Sequence, residues 1–221
     1  MEREDDDLAA VIALVRFLRA EPLTDRLASV EDKLVGCSGA AGTEAAADRG
    51  LTGEMLAATL AVRSQVGRLS DVIHACAITL ALPHILEPGE QITVRPSLGA
   101  GNDPSRPFDL ETDRRIAEFK VAQWTGSDSW RQRTLLSDLV HLTLDESGRR
   151  AQLYVVGPRP AHYLRTTRST VKRVLARASE RTRERVAARF DPAMTIAEFT
   201  AGPAARVELI DLAQWLPELA H

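Results

Sequence analysis

Apolar side chains recur at intervals of three and four through residues 5–20, where Leu8, Val11, Ile12, Val15 and Leu18 fall on one side of a helix. Aspartates at its start suit the positive end of the helix dipole, and Pro22 stops it. A shorter helical pattern runs from Thr24 to Val35. Gly36 to Gly53 is rich in Gly, Ala and Ser without a period, and reads as a linker or mobile loop. Helical spacing returns from Thr52 to Leu82, with Thr52 as N-cap, Gly67 as a point of division and Pro83 as terminator. The middle of the chain changes period. Gln91–Arg95 is β-prone, Gly99–Pro107 is a loop, and Phe108–Thr112 and Ile116–Trp124 are two strands joined at Asp113-Arg114. A helix capped by Ser127 or Asp128 follows, with Leu135, Leu136, Leu139 and Val140 on its apolar side. Leu153–Val156 is wholly apolar, as a buried parallel strand should be. A long basic helix is expected over 161–189, and Val207–Leu212 fits strand or helix equally. This order gives a mixed sheet covered by helices, with a crossover between the strands ending at Trp124 and Val156.

Composition narrows the class. The 221 residues are 44% hydrophobic and 27% charged with a formal charge of −3, which excludes wholesale disorder and offers no global basicity for nucleic acid. Two cysteines make no disulfide framework. No apolar run is long enough for a membrane span, and the acidic residues 1–7 are unlike a secretory leader, so a cytoplasmic location and no membrane partner are expected. Lys33, Lys120 and Lys172 are the only lysines among 28 basic residues. In so Arg-biased a chain, each lysine draws attention.

The chemistry concentrates in residues 107–124. With Asp113 and Arg114 at the turn, Leu110 faces Ala117, Asp109 faces Glu118 and Phe108 faces Phe119. Alternation then puts Phe108, Leu110, Ala117, Phe119 and Val121 on an apolar face and Asp109, Glu118 and Lys120 on the other. Two directly opposed carboxylates, with Cβ atoms about 4.5–5.5 Å apart, repel each other. A hard divalent cation removes that conflict, since Mg²⁺ accepts one or two carboxylates plus water and phosphate oxygens. A lysine on the same face stabilises negative charge developing on phosphorus oxygens. The competing reading is an amphipathic hairpin whose solvent face pairs Lys120 with Glu118 or Glu111.

Asp109, eight intervening residues and Glu118-Phe119-Lys120 resemble the PD-(D/E)xK nuclease superfamily. The order of elements from Leu69 to Arg177 is similar too: helix, three-stranded meander, helix, strand, helix. The resemblance implies an α/β fold with a restriction endonuclease-like core, a mixed sheet flanked by helices. It implies Mg²⁺ (or Mn²⁺) on Asp109 and Glu118, with Lys120 positioning or activating the attacking water. Phe108 stands where the name-giving proline would be. Asp71 is the candidate for a carboxylate on the preceding helix, with His74 beside it, and Gln123 resembles a glutamine of exonuclease-like members. A second E-x-K, Glu31-Asp32-Lys33, has helical context and no upstream strand aspartate, and reads as a solvated face.

The expected organisation is a helical extension and linker over residues 1–50 and a nuclease-like domain over 51–221, with the basic helix in 159–190. From Arg159 to Arg189, ten Lys/Arg face two Glu. Arg165, Arg168, Lys172 and Arg173 would share one helical surface, and such stripes hold phosphate backbones. Arg131 and Arg133 are further candidates for phosphate contact. His74 reads more readily as a satisfied helix histidine than as a ligand, and His141 and His162 are too isolated for zinc. The expected function is metal-dependent DNA cleavage in defence, repair or mobile-element processing, by a homodimer or within a larger complex. The alternative is a non-catalytic nucleic-acid-binding or protein-interaction module that keeps the fold.

Overall fold

The helical periodicity at the start of the chain becomes α1 (Glu2–Ala20) and α2 (Leu23–Leu34), separated at Pro22, which lacks the N–H a continuing helix requires. The computed structural model describes residues 2–35, 37–66, 69–99, 107–124, 126 and 128–220. The stretch expected to be a linker contains a helix instead, α3 (Gly39–Ala47). Ser38 caps it by accepting the Ala41 N–H at 3.4 Å, and its alanines supply helix propensity that the absence of an amphipathic period concealed. α4 (Gly53–Val66) begins as expected, with the Thr52 hydroxyl accepting the Met55 N–H at 3.1 Å. Gly67, the expected division, lies outside the described residues. α5 (Leu69–Ile85) continues through Pro83, the expected terminator. Pro83 forfeits one helical hydrogen bond, the one its N–H would have made to the Thr79 carbonyl, and burial of Ala81 and Ile85 holds the last turn in place.

The chain divides into two compact units, Met1–Leu69 and Ser70–His221. In the first, α1 packs on α4 and α2 on α3. The Arg26 guanidinium lies over the Phe17 ring, 4.0 Å from its centroid. Leu8, Ile12 and Leu18 of α1 remain 41–60% exposed.

The second unit is α/β: a five-stranded mixed sheet flanked by helices. β1 (Ile92–Val94), β2 (Leu110–Thr112) and β3 (Arg115–Lys120) form an antiparallel meander. α6 (Ser129–Thr143), capped by Asp128, leads to β4 (Arg150–Val155), which pairs parallel to β3. The segment expected as one long basic helix is broken into α7 (Pro158–Thr166), α8 (Val171–Val174) and α9 (Glu180–Arg189), followed by α10 (Ile196–Ala201). The break has a nonlocal cause. Backbone N–H groups of Val171 and Lys172 donate to Met194 and Pro192 carbonyls, and Ile196 N–H donates to Ser169 O. Thr170 and Ser179 then cap new helices. β5 (Val207–Asp211) settles the undecided segment as a strand parallel to β4.

Strand alternation divides the core between two layers. Ile116, Leu153 and Val155 face α6, against Leu135, Leu136 and Leu139. Ala117, Phe119 and Tyr154 face α5, against Ala77, Ile78 and Ala81, with the Phe119 and Tyr154 rings stacked at 4.6 Å. Leu110 joins the α5 side as expected, but Phe108 packs into the α6 side, because regular pairing ends at Leu110 and the preceding residues leave the pleat.

On the α5 face, at the start of β3, a buried polar network ties the strands together. Arg115 donates from Nε to Glu90 Oε1 at 2.5 Å, from Nη2 to Glu90 Oε2, and from Nη1 to Gln152 Oε1 at 3.0 Å. Thr112 donates its hydroxyl to Glu90, and Tyr154 donates its hydroxyl to Gln152. Gln152 reaches Glu208 of β5. Burial alone would raise the Glu90 carboxyl, but Arg115, the Glu87 N–H and the Thr112 hydroxyl hold it at about 2. A folded-state value below the ordinary 4.5 means the network's stabilisation is complete above that pH and is lost as pH falls towards 2. The thermal midpoint should therefore drop across this acid window, and Glu90→Gln should show a visibly shallower drop. Parallel pH profiles of the two proteins would contradict this.

Candidate active site

At the other end of β3, on the α6 side, four groups converge. β3 delivers Glu118 and Lys120 from alternate positions, and α6 delivers Asp138. The Lys120 ammonium lies 2.7 Å from Asp138 Oδ2 and 3.9 Å from Glu118 Oε2. Asp109 arrives from the residue just before β2. One of its oxygens accepts the Phe119 N–H at 2.9 Å, which fixes the carboxylate against β3 beside Glu118. The expected face-to-face ladder pair of Asp109 with Glu118 is thus replaced by a side-chain-to-backbone clamp, since the ladder stops at Leu110↔Ala117.

α5 supplies the fifth group. His74 places Nε2 3.3 Å from Asp109 Oδ2 and Nδ1 3.3 Å from the Leu98 carbonyl. Both ring nitrogens face acceptors, an arrangement only the imidazolium can satisfy. Burial opposes the charge, but the Asp109 carboxylate outweighs it and the His74 pKa rises. His74 is therefore the satisfied histidine its helix position suggested, with Asp109 as its partner. Asp71, the other α5 candidate, is half-buried one turn earlier.

The electrostatics are unbalanced. Burial, then the Asp138 and Asp109 carboxylates, push the Glu118 carboxyl well above its usual range. Burial likewise raises Asp138, against the pull of Lys120. Burial also raises Asp109, but His74, Lys120 and the Phe119 N–H bring it below the ordinary value. Burial tends to discharge Lys120, yet the charges of Asp138, Glu118 and Asp109 win and keep it firmly an ammonium. Three carboxyl groups thus share one lysine and one imidazolium, and two of the three hold their protons more tightly than usual because of it.

That surplus fits a divalent cation. Asp109 and Glu118 would hold it, and two carboxylates are enough for Mg²⁺, whose remaining positions water and phosphate oxygens fill. Among the described residues, no three acidic, imidazole or thiol groups already form a complete metal-ligand set. The site is not the wet hairpin face that alternation suggested. The side chains of Glu118 and Asp109 are only 10% and 14% exposed, at the floor of a cleft of about 1870 Å³. α6 covers that face of the sheet, which is why it is sunken. Of the two pairings the hairpin alternative expected, Lys120 lies 3.9 Å from Glu118, whereas Glu111 pairs with Arg149 at 3.0 Å.

The basic candidates scatter. Arg131 donates to the Gln123 carbonyl at 2.5 Å and pairs with Asp128 at 3.5 Å, so it braces the β3–α6 connection. Gln123 itself donates to the Ala220 carbonyl at 2.9 Å. Arg133 is half-buried on α6. Arg165 ends α7, Arg168 lies in the connector, and Lys172 and Arg173 lie on α8; all four are exposed, share no single helix, and do not line the cleft. Cleft-lining residues absent from the sequence-derived site are Asp138, His141, Arg181 and Arg185. Asp138 had a legible signal: it falls on the stripe of Leu135, Leu139 and Leu142, where an unpaired acid would not be tolerated. The α9 arginines gave none, because their approach to α6 depends on how the basic segment breaks.

Comparison of the chain with family models, with curated proteins and with solved structures gives no match.

Proposed function

We propose that this protein is a metal-dependent nuclease of the PD-(D/E)xK type, with a restriction endonuclease-like core, that hydrolyses phosphodiester bonds in DNA. One observation carries the reading: Asp109, just before β2, and Glu118 and Lys120 of β3 are held together where they line a cleft of about 1870 Å³. A stability-driven sheet would not bury three acids around one lysine. Asp109 and Glu118 would hold Mg²⁺ or Mn²⁺, which when bound polarises a phosphodiester and lowers the pKa of water. Lys120, fixed as an ammonium, neutralises charge gathering on the phosphate oxygens. Asp138 orients that ammonium, and His74 with the Phe119 N–H keeps the Asp109 carboxylate ionised and fixed in direction.

The protein should convert supercoiled plasmid to nicked circles in Mg²⁺ or Mn²⁺, and Asp109→Asn should lower the rate by at least about a hundredfold. Equal rates for the two would remove Asp109 from the chemistry. One feature favours the second reading, a non-catalytic module that kept the fold: the lysine is drawn towards Asp138 rather than standing free. That reading expects DNA retention with no nicking in either metal.

A further inference from the structure

The cleft is a track along one face of α6. Trp130 in its first turn, Thr134, Asp138 and His141 all border it, and the eleven residue steps from Trp130 to His141 span roughly 16 Å. The Asp109–Glu118–Lys120 cluster lies against the middle of this track, where Asp138 meets Lys120. Its two ends differ in chemistry. At one end the Trp130 indole is 59% exposed, whereas Trp124 is buried against Tyr163. At the other end are Arg181 and Arg185, one turn apart on α9, whose buried side is Thr182 and Val186. Both arginines are exposed and border the cleft. The neighbouring acid Glu146 is already paired with Arg189, and among the described residues neither Arg181 nor Arg185 is in a salt bridge. The pKa of His141 is lowered by burial first, against Asp138, and then by the charges of Arg185, Lys120 and Arg181, as expected if α9 leans over α6 here.

We propose that this cleft binds single-stranded DNA, with Trp130 stacking on an unpaired base at one end and Arg181 and Arg185 clamping backbone phosphate at the other. The inference rests on the nuclease reading of the acid cluster and adds the substrate's form to it. An exposed indole in a groove meets only the face of a base that is not already stacked in a duplex, and such stacking tolerates any base. Two guanidinium groups that pair with no acid among the described residues match phosphate oxygens in geometry and charge. The basic surface near the reacting groups is therefore on α9, not on α7 and α8, where Arg165, Arg168, Lys172 and Arg173 lie.

The test is binding of a fluorescent oligothymidylate and of a duplex of equal length, followed by anisotropy in EDTA so that no cleavage occurs. The wild-type protein should hold the single strand more tightly than the duplex. Trp130→Ala should weaken single-strand binding about tenfold. Arg181→Ala/Arg185→Ala should weaken it by at least about tenfold and reduce the slope of log affinity against log salt by roughly 1.4. Arg165→Ala/Arg168→Ala should bind like wild type. Tighter duplex binding, an unchanged Trp130→Ala, a loss that follows Arg165 and Arg168 instead, or no binding at all would each overturn the proposal. Failure of the nuclease reading looks different: single-strand binding as described, with no cleavage when Mg²⁺ or Mn²⁺ is restored.

Discussion

Lys120→Ala should abolish plasmid nicking, with a loss of about a hundred- to a thousandfold, while DNA binding in EDTA changes little. The ammonium stands 2.7 Å from Asp138 and 3.9 Å from Glu118 and is the only lysine in the cluster. Burial tends to discharge it, but the surrounding carboxylates outweigh burial and raise its pKa. Its contribution is a fixed positive charge, whose value in a sunken site is large because little water screens it. Lys120→Arg should not restore the rate, since a planar guanidinium cannot occupy the compact position between Asp138 and Glu118. Asp138→Asn should give a milder loss, because it loosens the ammonium without removing it. A Lys120→Ala protein that nicks at the wild-type rate would reduce the lysine to a structural partner of Asp138.

The second large effect is on stability. Glu90 and Arg115 are 0% and 3% exposed at their side chains, and their pairing joins the turn before β1 to the first residue of β3. Arg115→Met should destabilise the protein by about 3–5 kcal/mol, because it leaves the Glu90 carboxylate buried without its main partner. Glu90→Ala should cost a similar amount by stranding the guanidinium. The double variant Glu90→Leu/Arg115→Met should be more stable than either single one, since an apolar pair of similar volume has no charge left to solvate. Urea denaturation of the four proteins measures this directly. Strictly additive losses would show that the two side chains contribute through packing alone.

Local signals in the sequence foretold much of the architecture. Thr52 and Asp128 cap helices where their side chains say they should, and the two-residue turn at Asp113-Arg114 fixed the register Leu110↔Ala117. The apolar run ending at Val156 is a buried strand parallel to β3, as its composition implied. What stayed hidden depends on distant partners. The basic segment reads as one helix by period, yet residues 169–172 give up helical hydrogen bonds to pair with residues 192–196. The candidate site was legible on β3 and at Asp109, where spacing alone brings Glu118 and Lys120 to one face. It was not legible at Phe108, which leaves the strand, or at Arg181 and Arg185, whose place follows from that break. His74 was visible as a helix histidine, but its bond to Asp109 requires the α5 layer to pack on the sheet.

The central claim is that Asp109 and Glu118 form a cation site. Crystals grown with Mn²⁺ and measured for anomalous scattering test it most directly. A peak between the Asp109 and Glu118 carboxylates, lost in Glu118→Gln, is the predicted result. Saturating Mn²⁺ with no peak at these two side chains would contradict it.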